Sequence, residues 1–267
     1  MIVAIDGPAG AGKSTTAREV ARRFGFAYID TGAMYRAVAL AASERDLKAG
    51  RDDASIIELA RSLPLRLTDN GERISIGERD ISALIRTPQI GALTSAIAVL
   101  PGVREVIVAQ QRRLGRESIE SCGGAVLEGR DIQTVVFPDA PVKIFLTADA
   151  DTRAARRMKQ WRDGTATTGE TEQAESITVE TVTPEITQAE TTSAENSFHQ
   201  TALDEARHDI ESRDERDSGR QTSPLRAADD AFVLATDGLS CEEVVERIAQ
   251  IVRGHLADET KSESPQP

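Results

Sequence analysis

Ile2-Val3-Ala4-Ile5-Asp6-Gly7-Pro8-Ala9-Gly10-Ala11-Gly12-Lys13-Ser14 opens the chain, and the rest of the sequence is read outward from it. Four apolar residues make a short buried strand. A glycine-rich turn then passes directly into residues 14–24, whose pattern predicts a helix closed by a left-handed Gly25. Gly7 to Ser14 satisfies the Walker A spacing, and the strand before it and helix after it give the pattern its weight. Glycines let successive backbone N–H groups curl around a phosphate at the positive end of a helix dipole. The spacing assigns Gly7, Pro8, Ala9, Gly10, Ala11, Gly12, Lys13 and Ser14, with the Thr15 backbone, to a nucleoside triphosphate. Lys13 reaches its β- and γ-phosphates, and the Ser14 hydroxyl joins the shell of a Mg²⁺ ion.

Beyond the loop, short apolar runs alternate with helical patterns. Residues 28–30, 125–127, 142–146 and 231–235 read as four further buried strands. Ser240 and Glu243 form a capping-box pattern before Val244, Val245, Ile248, Ile251 and Val252, which recur at helical spacing. Such alternation implies a five-stranded parallel sheet covered on both faces, an α/β three-layer architecture. One segment departs from it. Residues 65–68 and 73–76 alternate in polarity around Asp69-Asn70-Gly71, a hairpin signal that predicts a small inserted subdomain.

Composition sets outer bounds. The chain has 267 residues, 39% hydrophobic and 28% charged, with a net charge of −12. This describes a folded protein with a sizeable core. No run approaches the roughly 18 apolar residues that a membrane span needs. The first residues do not form a signal-peptide pattern. Net acidity argues against a protein that coats nucleic acid. The charge is also unevenly spread: residues 163–197 hold eight acids (Asp163, Glu170, Glu172, Glu175, Glu180, Glu185, Glu190 and Glu195) and no Lys or Arg. Rich in Thr and Glu, this stretch cannot offset its chain entropy by burial and reads as a disordered insertion that leaves the chemistry intact. Residues 258–267 read as a second disordered tail, and the body without the two segments is near neutral. Cys122 and Cys241 have no metal-ligand spacing and read as packing residues in a reducing cytoplasm. His199, His208 and His255 fall outside every motif and read as surface residues.

Three clusters look out of place as ordinary surface: Asp30-Thr31-Gly32-Ala33-Met34-Tyr35-Arg36, Glu128-Gly129-Arg130-Asp131, and Arg213 to Arg220. The first two follow strands, so in an open parallel sheet they meet the glycine loop in the ligand crevice. Arginine suits such a place because its planar, permanently charged fork grips phosphate oxygens. No Asn-Lys-x-Asp guanine-reading motif is present.

Taken in order, residues 4–15, 30–36, 129–131, 134–140 and 213–218 resemble those of the bacterial cytidylate kinases, which are P-loop nucleoside monophosphate kinases. The resemblance runs from Ile2 to about Leu256, apart from the Thr/Glu insertion. It implies a P-loop NTPase fold with an inserted monophosphate-binding subdomain and a lid. The core is expected at 1–40, 105–150 and 223–257, the subdomain at 41–104 with its hairpin at 65–76, and the lid region at 151–222. It also implies transfer of the ATP γ-phosphoryl group to CMP or dCMP with Mg²⁺, by a cytoplasmic monomer without a nucleic-acid or membrane partner. By family position, Tyr35, Arg36, Arg130 and Arg220 hold the acceptor phosphate, with Thr31 beside them. Ser95, Arg104 and Asp131 read the cytosine, and Arg213 with Asp217 touches the sugar. Arg153 and Arg157 stand four apart on one helix face and, with Arg156, form the lid arginines over the phosphates. Lys13, Arg130, Arg153, Arg157 and Arg220 are the expected catalytic residues. Glu128, in a Walker-B-like place, orients Mg²⁺-bound water. A P-loop kinase for UMP or shikimate, and an ATP-binding switch without turnover, are the alternatives.

Overall fold

The computed structural model describes residues 1–167, 188–220 and 222–262. Strand β1 (Ile2–Asp6) is buried along its whole length, as a strand covered on both faces must be. β2 (Ala27–Asp30), β6 (Ala125–Gly129), β7 (Val142–Thr147) and β8 (Phe232–Ala235) join it in one five-stranded parallel sheet of order β2-β6-β1-β7-β8. The expected sheet is therefore present. The fifth run differs in one respect: Phe232 and Val233 are 48% and 63% exposed. β8 is an edge strand, so its apolar residues lack the second layer that covers the inner strands.

Helix α1 (Lys13–Phe24) stops at Gly25, whose φ of 68° turns its N–H back to the last carbonyls. α1 and α8 (Cys241–Ser262) cover one face, where Val3, Ile5, Val20, Val126, Ile144, Val245 and Ile248 form a core. The Ser240 cap is reciprocal: its hydroxyl accepts from Glu243 N at 3.2 Å, and Glu243 accepts from Ser240 N at 2.8 Å. α5 (Pro101–Cys122) packs on the other face through Val108, near Ile2, Ala4, Ile29, Leu127 and Ile132. Both cysteines are exposed rather than packed. The Cys122 thiol ends α5 and donates to the Ser118 carbonyl of its last turn and to the Gly124 carbonyl just beyond it, and Cys241 begins α8.

Between β2 and β6 the chain builds α2 (Thr31–Ser43), α3 (Asp53–Ser62), β3 (Leu65–Thr68), β4 (Arg73–Ile76), β5 (Arg79–Asp80) and α4 (Pro88–Ile97). The expected hairpin is part of a three-stranded antiparallel sheet, because the two-residue β5 pairs with β4. So short a strand carries no alternation to read. α2 is buried from Ala37 to Ala42 and supplies this region's own core with Ile56, Ile74, Ile81 and Ile107.

The hairpin turn docks on the main sheet. Asp69, Asn70 and Gly71 all have positive φ, and a Cβ on Gly71 would lie 1.9 Å from the Tyr28 carbonyl oxygen. Asn70 accepts from Tyr28 N at 3.3 Å and donates to the Phe26 carbonyl at 3.4 Å. The turn thus serves as a cap on the free edge of β2.

After β7, α6 (Ala150–Thr167) and α7 (Gln188–Ser218) pack together around Ala154, Ala206 and Ile210. Residues 163–167 and 188–197 of the stretch expected to be disordered are helical, and the remainder of it, 168–187, lies outside the described residues. Helix propagation costs little once a packed segment has nucleated it, and Ala, Glu and Gln propagate well. α8 likewise carries residues 258–262 of the expected tail as helix. Among the described residues no single helix is long and apolar enough to cross a membrane.

Gly71→Ala should destabilise the protein by ~2–4 kcal/mol, because a methyl group meets a backbone carbonyl and the positive φ of 83° is lost to strain. Urea unfolding checks this. A midpoint equal to wild type would show that the turn does not bear on β2.

Candidate active site

The glycine loop leaves the C-terminal end of β1, at the middle of the sheet. Gly7 has φ 151°, and a Cβ there would lie 2.1 Å from the Leu146 carbonyl oxygen, so the chain can leave the strand only through glycine. Lys13 is buried and donates to the Pro8 carbonyl at 2.7 Å. Burial above all, and then the nearby Arg130, push its ammonium down to about 7, against the pull of Glu128 and Asp6.

Three carboxylates mark the strand ends. Asp6 closes β1 and accepts from Ile132 N at 3.1 Å and Gln133 N at 2.9 Å, which pins the turn after β6. Burial pushes it up to about 6 in spite of those bonds. Glu128 near the end of β6 is raised by burial and then by Asp30, its register partner on β2, while Lys13, Tyr28 and Ser14 pull it down. The Tyr28 hydroxyl donates to it at 2.6 Å. Asp30 caps α2, accepting from Ala33 N at 2.8 Å, and lies 3.9 Å from Arg36.

A crevice of about 180 Å³ runs from the loop to the opposite wall. The loop contributes Ala9, Gly10, Gly12, Lys13, Ser14 and Thr15. Gly7, Pro8 and Ala11 lie behind this lining and shape the turn. Across from them, Thr31, Tyr35 and Arg36 come from α2, Ser95 from α4, Arg104 from α5, and Arg130 and Asp131 from the end of β6. α6 adds Arg157, and the end of α7 adds Arg213, Asp217 and Arg220. Residues from seven segments of chain are therefore gathered, with two exceptions below.

Their pairing was not readable from spacing. Arg104 and Asp131 form an ion pair that is 6% and 8% exposed, and Arg104 also lies over the Tyr35 ring at 5.6 Å. Asp217 joins Arg130, whose Nε is 2.9 Å away, to Arg220. Burial opposes its ionisation, but Arg130 and Arg220 more than offset this and hold Asp217 below the usual carboxylate range. Ser95 is buried and donates weakly to the Gly91 carbonyl at 3.3 Å. The Thr31 hydroxyl donates to the Glu128 carbonyl, tying α2 to β6.

Arg153 is the first exception. It was expected beside Arg157 over the crevice, but its guanidinium faces the back of the loop, pairing with Asp214 and donating to the Ala9 carbonyl at 3.1 Å. Arg156 is held by Thr236, just past the end of β8, where its Nη1 would lie 3.8 Å from a Cβ on Gly12. Neither lines the crevice. Asp6, Asp30, Tyr28 and Asp214 belong to the site's frame; Asp214 falls inside the 213–220 cluster, but nothing local in sequence gave it a role.

The residues present fit the ligands implied. The Tyr35 hydroxyl is buried with no hydrogen-bond partner and lines the crevice with Arg36 and Arg130, which suits an anionic oxygen. Burial pushes this phenol up to about 12, so it stays a donor. Ser14 beside the Glu128 carboxylate supplies hard oxygen donors suited to Mg²⁺ with phosphate oxygens. Among the described residues no group of three or more His, Cys, Asp or Glu is placed to hold a metal by itself.

A phosphate loop at the middle of a parallel sheet, facing an arginine-rich wall, defines a P-loop phosphotransferase. More particularly, the chain belongs to the cytidylate kinase family, whose sequence profile matches residues 3–182 and 185–254. A cytidylate kinase of Geobacter sulfurreducens is 42% identical over 255 residues, covering 95% of this chain and 93% of that one. Another, of Salinibacter ruber, is 38% identical over 253 residues, covering 95% and 97%. A bifunctional pantoate ligase/cytidylate kinase of Trichormus variabilis is 41% identical over 261 residues, 96% of this chain and 42% of that longer protein.

The depressed Lys13 predicts proton uptake on nucleotide binding. At pH 8, about a unit above that value, the Lys13 side chain is mostly the neutral amine before nucleotide binds, and polyphosphate restores its charge. Calorimetry of ADP binding at pH 8, in buffers of different ionisation enthalpy, should show uptake of about one proton per site. ADP affinity should rise as the pH falls toward 7. Lys13→Met should abolish the uptake; wild type binding ADP with none would place its ammonium at an ordinary pKa.

Proposed function

We propose that the crevice transfers the γ-phosphoryl group of ATP to CMP or dCMP, giving ADP and CDP or dCDP. The observation that carries this reading is the buried Arg104–Asp131 pair beside the unpartnered Tyr35 hydroxyl, opposite the phosphate loop. It combines a base-reading carboxylate and a phosphate grip on one wall. A carboxylate that has spent one oxygen on Arg104 retains lone pairs for the exocyclic amino group of cytosine. Uracil presents a carbonyl at that place, and two acceptors then face each other in a buried site. Ser95 adds a hydroxyl on the same side.

The loop N–H groups and Lys13 hold the ATP phosphates, and Thr15 lies in the first turn of the helix whose dipole they meet. Ser14 and Glu128 would hold Mg²⁺, which when bound neutralises charge on the transferring phosphate oxygens. Tyr35, Arg36, Arg130 and Arg220 hold the acceptor phosphate, with Thr31 fixing the start of α2. Asp217 keeps Arg130 and Arg220 together although they repel, so their forks are set before substrate arrives. Arg213 and Asp217 face the sugar. Arg157 lies over the phosphates on the α6–α7 hairpin, which acts as the lid for residues 151–222. Residues 41–104 are the acceptor-binding unit, and 1–40, 105–150 and 223–257 form the core. Excluding water matters here because water is a competing acceptor. On this reading the enzyme works as a monomer in the cytoplasm, as the family resemblance implies.

The test is ADP formation from ATP and Mg²⁺ with CMP, dCMP, UMP, AMP or shikimate. The cytidine pair should exceed UMP in kcat/KM by roughly 10–100-fold, the cost of an unpaired buried polar group. Equal use of UMP or shikimate would reassign the acceptor, and no stimulation by any acceptor would make the chain a nucleotide-binding switch. Arg130→Ala should lower transfer by about 100-fold or more while ATP affinity stays within about twofold. Unchanged turnover would remove Arg130 from the site.

A further inference from the structure

We propose that Arg153 and Asp214 form a clasp that sets the phosphate loop from behind, making both positioning residues for ATP rather than groups that touch it. The inference rests on the reading of the loop as the ATP site. Ala9, in the middle of the loop, has both its backbone polar groups taken by this one ion pair. Its N–H donates to Asp214 Oδ1 at 3.1 Å, and its carbonyl accepts from Arg153 Nη1 at 3.1 Å. Asp214 Oδ2 accepts from the same Arg153 nitrogen, while Arg153 Nε donates to the Ala148 carbonyl at 3.1 Å. The two side chains are 12% and 19% exposed, so the pair is largely out of water and weakly screened.

Packing repeats the contact. The Ala9 side chain is buried in the small core of the α6–α7 hairpin, with Ala154, Ala206 and Ile210. The next residue presses on α6 so closely that a Cβ on Gly10 would lie 2.9 Å from Arg153 Cβ. A glycine-rich loop loses much conformational freedom when ordered. Its N–H groups bind phosphate best when already aimed. The first half of the loop is fixed by strand β1 and the last by helix α1; the clasp fixes the middle. Asp214 also stands one helical turn before Asp217, so the end of α7 holds the nucleotide loop with one carboxylate and the arginines of the opposite wall with the next.

The test is a double-mutant cycle on the full chain, with ATP and ADP affinity read by calorimetry and KM and kcat by steady-state assay. Arg153→Ala and Asp214→Ala should each weaken ATP and ADP binding by about tenfold. The double variant should be no more than about twofold weaker than the worse single one, because both remove the same contact. KM for CMP should stay near wild type throughout. Arg153→Lys, which keeps the charge without the fork, should fall between wild type and Arg153→Ala. It also serves if the alanine variants do not fold. Losses that multiply in the double variant, or an Arg153→Ala effect on kcat with unchanged ATP affinity, would overturn the clasp and return Arg153 to the phosphates. Because the cycle reads nucleotide affinity, it stands whichever acceptor is used. Wild type that binds neither ATP nor ADP would overturn the clasp and the proposed function together.

Discussion

The structure depends on holding many like charges in one small crevice before any substrate arrives. Lys13, Arg36, Arg130, Arg157, Arg213 and Arg220 all line it. At partly buried sites such cations repel strongly, and water cannot screen them as it does at a surface. Carboxylates are placed to resolve this. Asp217 lies between Arg130 and Arg220, Asp131 pairs with Arg104, and Glu128 draws Lys13 back toward its charged form. The balance is incomplete at Lys13, whose ammonium is pushed down to about 7 by burial first and then by Arg130. A phosphate-bearing ligand would supply the missing negative charge.

The fold is what makes this placement possible. In a parallel sheet all strands end on the same edge, so Asp6, Asp30 and Glu128 arrive together without any loop having to bring them. Glycine carries β1 into the phosphate loop, and α1 offers its positive end to the same point. The opposite wall is assembled from α2, α4 and α5, whose own core of alanine, valine and isoleucine fixes Tyr35 and Arg104 against each other. The hairpin turn on Phe26 and Tyr28, and α6 and α7 on Ala9, Ala148 and Thr236, then tie these outer elements to the sheet.

Much of this was legible in the sequence, for a local reason. The phosphate loop, the capping box of α8 and the glycine end of α1 depend on residues a few positions apart, so their chemistry survives as spacing. The clusters at 30–36, 128–131 and 213–220 were visible because charged groups at strand or helix ends are costly unless they have work to do. What sequence could not show is which partner each charge chooses. Arg153 and Asp214 are sixty-one positions apart, and Arg104 and Asp131 twenty-seven. The lid-arginine spacing placed Arg153 with Arg157, but tertiary contact with Ala9 decided otherwise. The two-residue β5 was too short to carry a period, and composition could not foresee that packing at Ala206 and Ile210 lets α7 extend back to Gln188.

On this reading the loop and the arginine wall serve two nucleotides in one continuous crevice. Competition by a bisubstrate ligand, adenosine and cytidine joined 5′ to 5′ through a polyphosphate chain, tests this. One such molecule should bind per chain, displacing ATP and CMP together and binding more tightly than either. Displacement of ATP alone, with CMP affinity unchanged, would contradict it.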